Sequence, residues 1–164
     1  LTYSGTAATT ISGLNHIEGS VVAINANGAA VTNKTVSSNA ITLDSSVTKA
    51  HIGLPYESIL TTMRMESLAA DGTSQGKIKR IHDVTARLYR TIGAKIGDSK
   101  TSTDLVPFRS SAAPMNSPLQ LFTGDKTIEF TGGYDTDGFV TIVQDQPMPM
   151  TVIALYARLE TFDK

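Results

Sequence analysis

Few residues in this chain stand at spacings that could do chemistry, and each group falls short of a complete site. Gly72-Thr-Ser-Gln-Gly76-Lys77-Ile78 approaches a phosphate-binding loop. Such a loop needs four residues between its glycines to cradle the phosphate, and a Ser or Thr after the lysine to ligate magnesium. Here three residues intervene and Ile78 follows, so the stretch reads as a loop. Asp135-Thr136-Asp137-Gly138 approaches part of a calcium loop. Its first ligand position would fall on Gly133, and its twelfth on Gln144 instead of a bidentate glutamate. A β-turn fits those residues better, because Asp and Gly favour the backbone angles of turns. His16, His51 and His82 are far apart and share no metal-ligand spacing. Nothing here gathers an acid, a base and a nucleophile in one place. The expectation is a protein that is not an enzyme and needs no metal or cofactor.

Two other groups suggest binding. Lys77, Lys79, Arg80, Arg87, Arg90 and Lys95 form a basic cluster. On a strand, Lys77 and Lys79 share a face, and Arg87 has the same parity. A solvated face or salt bridges between subunits is the favoured reading. The sharper one is that Lys77, Lys79, Arg80 and Arg87 face passing DNA and touch its phosphates, since few aromatics are present to stack bases. In the polar segment 97–118, Leu105-Val106-Pro107-Phe108 stand in a row before Arg109. Either they pin the segment to its own domain, or Phe108 and Arg109 form a partner contact, since aromatic and arginine side chains carry much of the energy at such contacts.

The elements that must hold these residues are β-strands. The chain has 164 residues, 40% of them hydrophobic, enough to bury a core in one domain or two small ones. Charged residues are 18%, below the usual quarter or so. Serine and threonine fill the gap. The net charge of -1 gives no global pull on nucleic acid or an anionic membrane. Cysteine is absent, which removes disulfides and thiolate chemistry. No apolar run approaches the ~20 residues that span a bilayer, so no membrane insertion is expected. The chain starts without methionine, as a fragment or processed product would.

Residues 139–161 organise the rest. Phe139-Val-Thr-Ile-Val143 is apolar and β-branched, as in a strand covered on both faces. From Thr151, side chains alternate: Ile153, Leu155, Ala157 and Leu159 against Val152, Ala154, Tyr156 and Arg158. A helical period also fits, but the run is short and follows two prolines, which favours strand. Asn27-Gly28 between two apolar runs predicts a hairpin. A second hairpin is expected to turn at Asp44-Ser45-Ser46. Gly13-Leu14-Asn15-His16 reads as a turn within a patternless first twenty residues. Residues 58–65 read as a strand and 67–76, with Asp71-Gly72, as a loop. Residues 81–96 fit both periods, with β-branched residues and Gly93 favouring strand. Residues 97–118 read as one long loop. Short strands at 119–122 and 127–130 flank Gly124-Asp125. The expected architecture is all-β: a small barrel-like subdomain over 1–56, then a β-sandwich or platform sheet with long loops over 57–164.

Six segments, in order, then point to a family. They are Gly13-Leu-Asn-His-Ile-Glu-Gly19, His51-Ile-Gly-Leu-Pro-Tyr56, Asp71-Gly-Thr-Ser-Gln-Gly-Lys77, Val106-Pro-Phe-Arg-Ser-Ser111, Leu121-Phe-Thr-Gly-Asp-Lys126 and Val143-Gln-Asp-Gln-Pro147. Together, from about Gly13 to about Leu159, the chain resembles the C-terminal part of the tail nozzle proteins of short-tailed bacteriophages, also called tail tubular protein B or stabilisation protein. The resemblance implies β-rich subunits in a ring below the portal and adaptor of the virion tail, closing the tube and forming the DNA exit channel. Its implied partners are other copies of the full-length protein, tail adaptor and fibre proteins, and transiently phage DNA. It implies no catalytic residues and no cofactor. A carbohydrate- or receptor-binding β-domain at the tail tip is the other expectation.

Overall fold

The computed structural model describes residues 1–66 and 72–162. Strands dominate it, every pairing is antiparallel, and the one helical element among the described residues is a 3-10 turn at Asn15–Ile17. The all-β expectation holds. The chain divides into two compact units. One comprises Leu1–Glu57, Arg109–Gln120 and Asp145–Met148; the other comprises Ser58–Phe108, Leu121–Gln144 and Pro149–Lys164.

The first unit holds β1 (Thr2–Ser12), β2 (Val21–Ala26), β3 (Ala29–Thr35) and β4 (Ala40–Gly53), in the order β1-β4-β2-β3. The sheet stays open, with β1 and β3 as its edges, so the unit is not the expected barrel. Asn27-Gly28 makes the predicted hairpin turn, both residues at positive φ (49° and 87°), as a type I′ turn requires. The Asn27 side chain also accepts hydrogen bonds from the Thr48 and Lys49 amides, tying the turn to β4. The turn expected at Asp44-Ser45-Ser46 does not exist. None of the three takes a left-handed backbone, and β4 runs straight through them. The chain reverses instead at Ser38-Asn39, at φ 54° and 63°, where the Glu18 carboxylate accepts both amides at 2.8 Å. The patternless start of the chain is strand β1. As an edge strand it buries little besides Ile11, so alternation is hard to see in it. Gly13, at φ 94°, starts the predicted turn and sends Leu14 into a core with Val22, Ile24, Ile41 and Ile52. Each such side chain contributes about 1.5–3 kcal/mol by leaving water.

The second unit is sandwich-like. One sheet has the order β5 (Ser58–Thr61), β11 (Thr141–Gln144), β7 (Lys95–Ser99), β8 (Ser102–Leu105). In the other, β6 (Ile78–Thr91) pairs with β12 (Val152–Phe162) along one edge, and with β9 (Phe122–Glu129) and β10 (Tyr134–Asp135) along the opposite edge. The core between the sheets includes Ile81, Val84, Ala86, Leu88, Ile96, Val106, Val140 and Ile142. Both strands favoured in 139–161 form, and all four residues of β11 are buried. The ambiguous residues 81–96 are strand over most of their length, not helix. Segment 97–118 is not one loop: it holds the end of β7, a tight reversal and β8. The two short strands expected around Gly124 are one, since β9 keeps its register on β6 from Glu129 to Gly124. The strand expected over 58–65 is shorter, at Ser58–Thr61. Of the loop expected over 67–76, residues 67–71 lie outside the described residues.

One inserted residue decides which way β6 faces. Leu159 opposes Ile81 and Arg158 opposes Asp83, so His82 has no opposite number on β12 and forms a β-bulge. Ile81 and Val84, three apart, both reach the core, whereas regular alternation would separate them. A similar irregularity at Ile153 turns Val152 inward beside Leu155, Ala157 and Leu159 and leaves Ile153 exposed.

Candidate interaction surfaces

The bulge at His82 separates the basic cluster. Before it, Lys79 and Ile81 point inward; after it, Thr85, Arg87 and Tyr89 point outward. Lys79 is 1% exposed, so it cannot face DNA, and the shared parity with Arg87 read from the sequence fails because of the extra residue. Lys77 is half-buried at the start of β6. Arg80 and Arg87 reach the outer face, and each is engaged. The Arg80 guanidinium lies 5.3 Å from the centre of the Tyr134 ring. Arg87 donates two hydrogen bonds of 2.8 Å to Asp125 and lies 5.6 Å from the Tyr156 ring centre. The Arg87 hydrogen bond holds the Asp125 carboxyl below the usual carboxylate range. Asp83, Asp125, Glu129 and Glu160 stand among these arginines on neighbouring positions. The face is therefore of mixed charge, and the four basic residues make no common surface for phosphates.

That outer face has another character. Tyr89, Tyr134, Ile153, Tyr156 and Phe162 are all exposed. Tyr134 and Phe162 meet edge to face at 5.4 Å. Between the aromatic positions runs an ion pair, Arg158 to Asp83 at 2.6 Å, and His82 Nε2 approaches Glu160 Oε2 to 3.2 Å. The contact is off the line of a hydrogen bond, so the buried His82 Nε2 has no hydrogen-bond partner among the described residues.

Phe108 is half-buried against the core of the second unit, its ring 6.0 Å from that of Phe122, while Val106 is fully buried. Arg109 is exposed and caps its own loop, donating to the Pro114 and Ser117 carbonyls. Leu105 is a large apolar side chain of this stretch that stays exposed.

The two loop motifs line one cavity of about 230 Å³, with Arg64, Gln75, Gly76, Lys79, Thr136 and Asp137 around it. Lys79 lies beside the Asp-rich turn. Its Nζ donates to the Thr136 carbonyl at 3.1 Å, and its stem lies under Gly138. Arg64 pairs with Asp137 at 2.7 Å. The Thr73 hydroxyl does most to hold the Glu66 carboxyl below its usual range, and the charge of Lys79 adds to this. Gly72-Thr-Ser74-Gln-Gly76 also spells Gly-x-Ser-x-Gly, a pattern of hydrolase nucleophiles. That elbow requires a sharp turn from strand into helix with the serine exposed. Here Ser74 is buried, its amide donates to Glu66, and β6 follows.

The first unit carries a cleft of about 310 Å³. Ala23, Ile52, Gly53, Leu54, Pro55 and Pro147 give it apolar walls, and His51, Asp145 and Gln146 bring polar groups. Tyr56 stands at it, 78% exposed. An apolar cleft with a few converging polar groups is the usual form of a small-ligand site. Composition gave no sign of it, because Asp145 and Gln146 come from a segment nearly ninety residues beyond Tyr56.

These features define a class: an all-β protein of open antiparallel sheets with free edge strands and a broad outer face of aromatic and paired charged side chains. The sequence matches no protein-family model, and no curated protein matches it. No helix among the described residues is long and apolar enough to cross a membrane.

Proposed function

We propose that this chain is part of a structural protein of a short-tailed phage tail, a nozzle or tail tubular subunit that packs in a ring around the DNA exit channel. The observation that carries the reading is the ordered set of six segments from Gly13 to Pro147. The outer face of the second unit supports it, because exposed aromatics beside paired charges suit contact with other protein surfaces. Other copies and tail adaptor or fibre proteins are the partners in this reading. DNA would pass the ring without being gripped by this chain's cluster, since Lys79 is buried and Arg87 is paired. Gold-labelled antibodies against the chain should mark the distal tail of phage particles in electron micrographs. Label confined to the head, or absent from particles, would reject the reading.

The cleft at Tyr56 favours a second reading, a sugar-binding domain at the tail tip. An exposed tyrosine can stack on a sugar ring while His51, Asp145 and Gln146 meet its hydroxyls. If so, a neutral disaccharide should perturb tyrosine fluorescence, which no tryptophan obscures here. Tyr56→Ala should abolish that response and leave the melting temperature within about 1 °C, since exposed substitutions cost little. A panel of maltose, lactose and cellobiose without any response would remove this reading.

A further inference from the structure

We propose that β12 is a self-recognition strand, which pairs antiparallel with β12 of a second copy and is centred on Leu159. Among the described residues β12 pairs with β6 alone, so its far edge carries unpaired backbone groups along a strand of eleven residues. Long open edges recruit other strands unless something blocks them. Among the described residues nothing pairs with or covers this edge between Ala154 and Phe162: the strand has no proline there, and its own irregularity lies before Ala154.

The side chains select the partner. Tyr156, Arg158, Glu160 and Phe162 alternate along the exposed face. With two copies antiparallel about Leu159, each Arg158 stands opposite the partner's Glu160, and each Tyr156 opposite the partner's Phe162. Opposite charges and aromatic pairs directly across a sheet are favourable. Sliding the partner by two residues either way, the smallest slip that keeps the same faces together, puts Arg158 on Arg158 or Glu160 on Glu160. The sequence is thus complementary to itself in one register and repulsive in those on both sides. Charges that merely guard an edge would not need that order. Arg158 and Glu160 lie against Asp83 and His82 of β6 in the single chain, yet 74% and 62% of their side chains are exposed, which leaves each open to a second, cross-strand neighbour. A two-fold contact closes on itself. It pairs two copies without making a ring, so it stands or falls apart from the tail reading.

Charge exchange tests the proposal, read by sedimentation equilibrium of the 164-residue chain up to about 1 mM at low salt, where charge pairing is least screened. The unaltered chain should dimerise. Arg158→Glu and Glu160→Arg should each weaken the dimer about tenfold or more, because symmetry turns two attractive pairs repulsive. The double variant R158E/E160R should recover most of the affinity. In it the new carboxylate at position 158 still faces Asp83 of its own chain, so recovery cannot come from inside the monomer. A chain that stays monomeric at 1 mM, or a double variant as weak as the singles, overturns the proposal. Should the charge variants fold poorly, the absence of native cysteine gives a second route. A mixture of R158C and E160C chains should form a disulfide-linked dimer on mild oxidation, whereas R158C alone should not. Equal cross-linking in both cases would also overturn it.

Discussion

Deleting His82 is expected to unfold the second unit, whereas His82→Ala should leave it folded. Removing the bulged residue restores strict alternation along β6, and a one-residue shift moves every side chain on one side of the deletion to the opposite face. Either Val84, Ala86 and Leu88 leave the core, or Ile81 leaves and Arg80 enters. In the first case exposing Val84 and Leu88 forfeits about 3–6 kcal/mol while Arg87 turns inward; in the second, burying Arg80 unpaired costs several kcal/mol. A domain's whole stability is about 5–15 kcal/mol. His82→Ala keeps the residue count; it removes a half-buried ring whose Nε2 has no hydrogen-bond partner, and a contact with Glu160 worth about 0–1 kcal/mol. Circular dichroism melts and amide NMR spectra of both variants would check this. A deletion variant with native dispersion and a melting temperature near that of the parent would show that the bulge does not set the phase of β6.

Gly97→Ala should destabilise the protein by about 3 kcal/mol, at the upper end for forcing extra atoms into packed structure. A Cβ on Gly97 would lie 1.8 Å from the Ser102 carbonyl oxygen and 2.7 Å from Thr103 Cα. Both are backbone atoms, so no side chain can swing aside. Gly97 is buried, opposite Thr103 of β8 on one edge and Thr141 of β11 on the other, so displacement on one side disturbs the other. The melting temperature should fall by about 6–12 °C. Gly53→Ala is the matched control. A Cβ there meets nothing within 4 Å and its φ is ordinary, so the change should be neutral or stabilising by about 0.5 kcal/mol. Equal melting temperatures for the two variants would mean that the β7–β8 reversal opens at little cost.

The strand class of this protein, the Asn27-Gly28 hairpin and the buried strand at Thr141–Gln144 follow from local chemistry. Positive φ at two successive residues, β-branching and unbroken apolar runs act within a few residues, so they are visible in the sequence. Local chemistry misled at Asp44-Ser45-Ser46, where turn-forming residues lie within a strand: β4 pairs with β1 on both sides of them, at Thr42 and at Val47, and the register shifts between. It also hid β1, whose exposed edge position removes the alternation that marks a strand. The largest error concerned faces. On each side of His82 the alternation is regular, and nothing in the residues states that one of them is skipped by β12. Only the register of a strand nearly eighty residues away creates the bulge, and with it the burial of Lys79 and the outward turn of Arg87. The cleft at Tyr56 has the same origin: its polar side chains meet because the fold returns residues 145–147 to the first unit. Sequence pattern determines what a strand can bury, while the pairing partner decides which of its residues are counted, and therefore which way each one points.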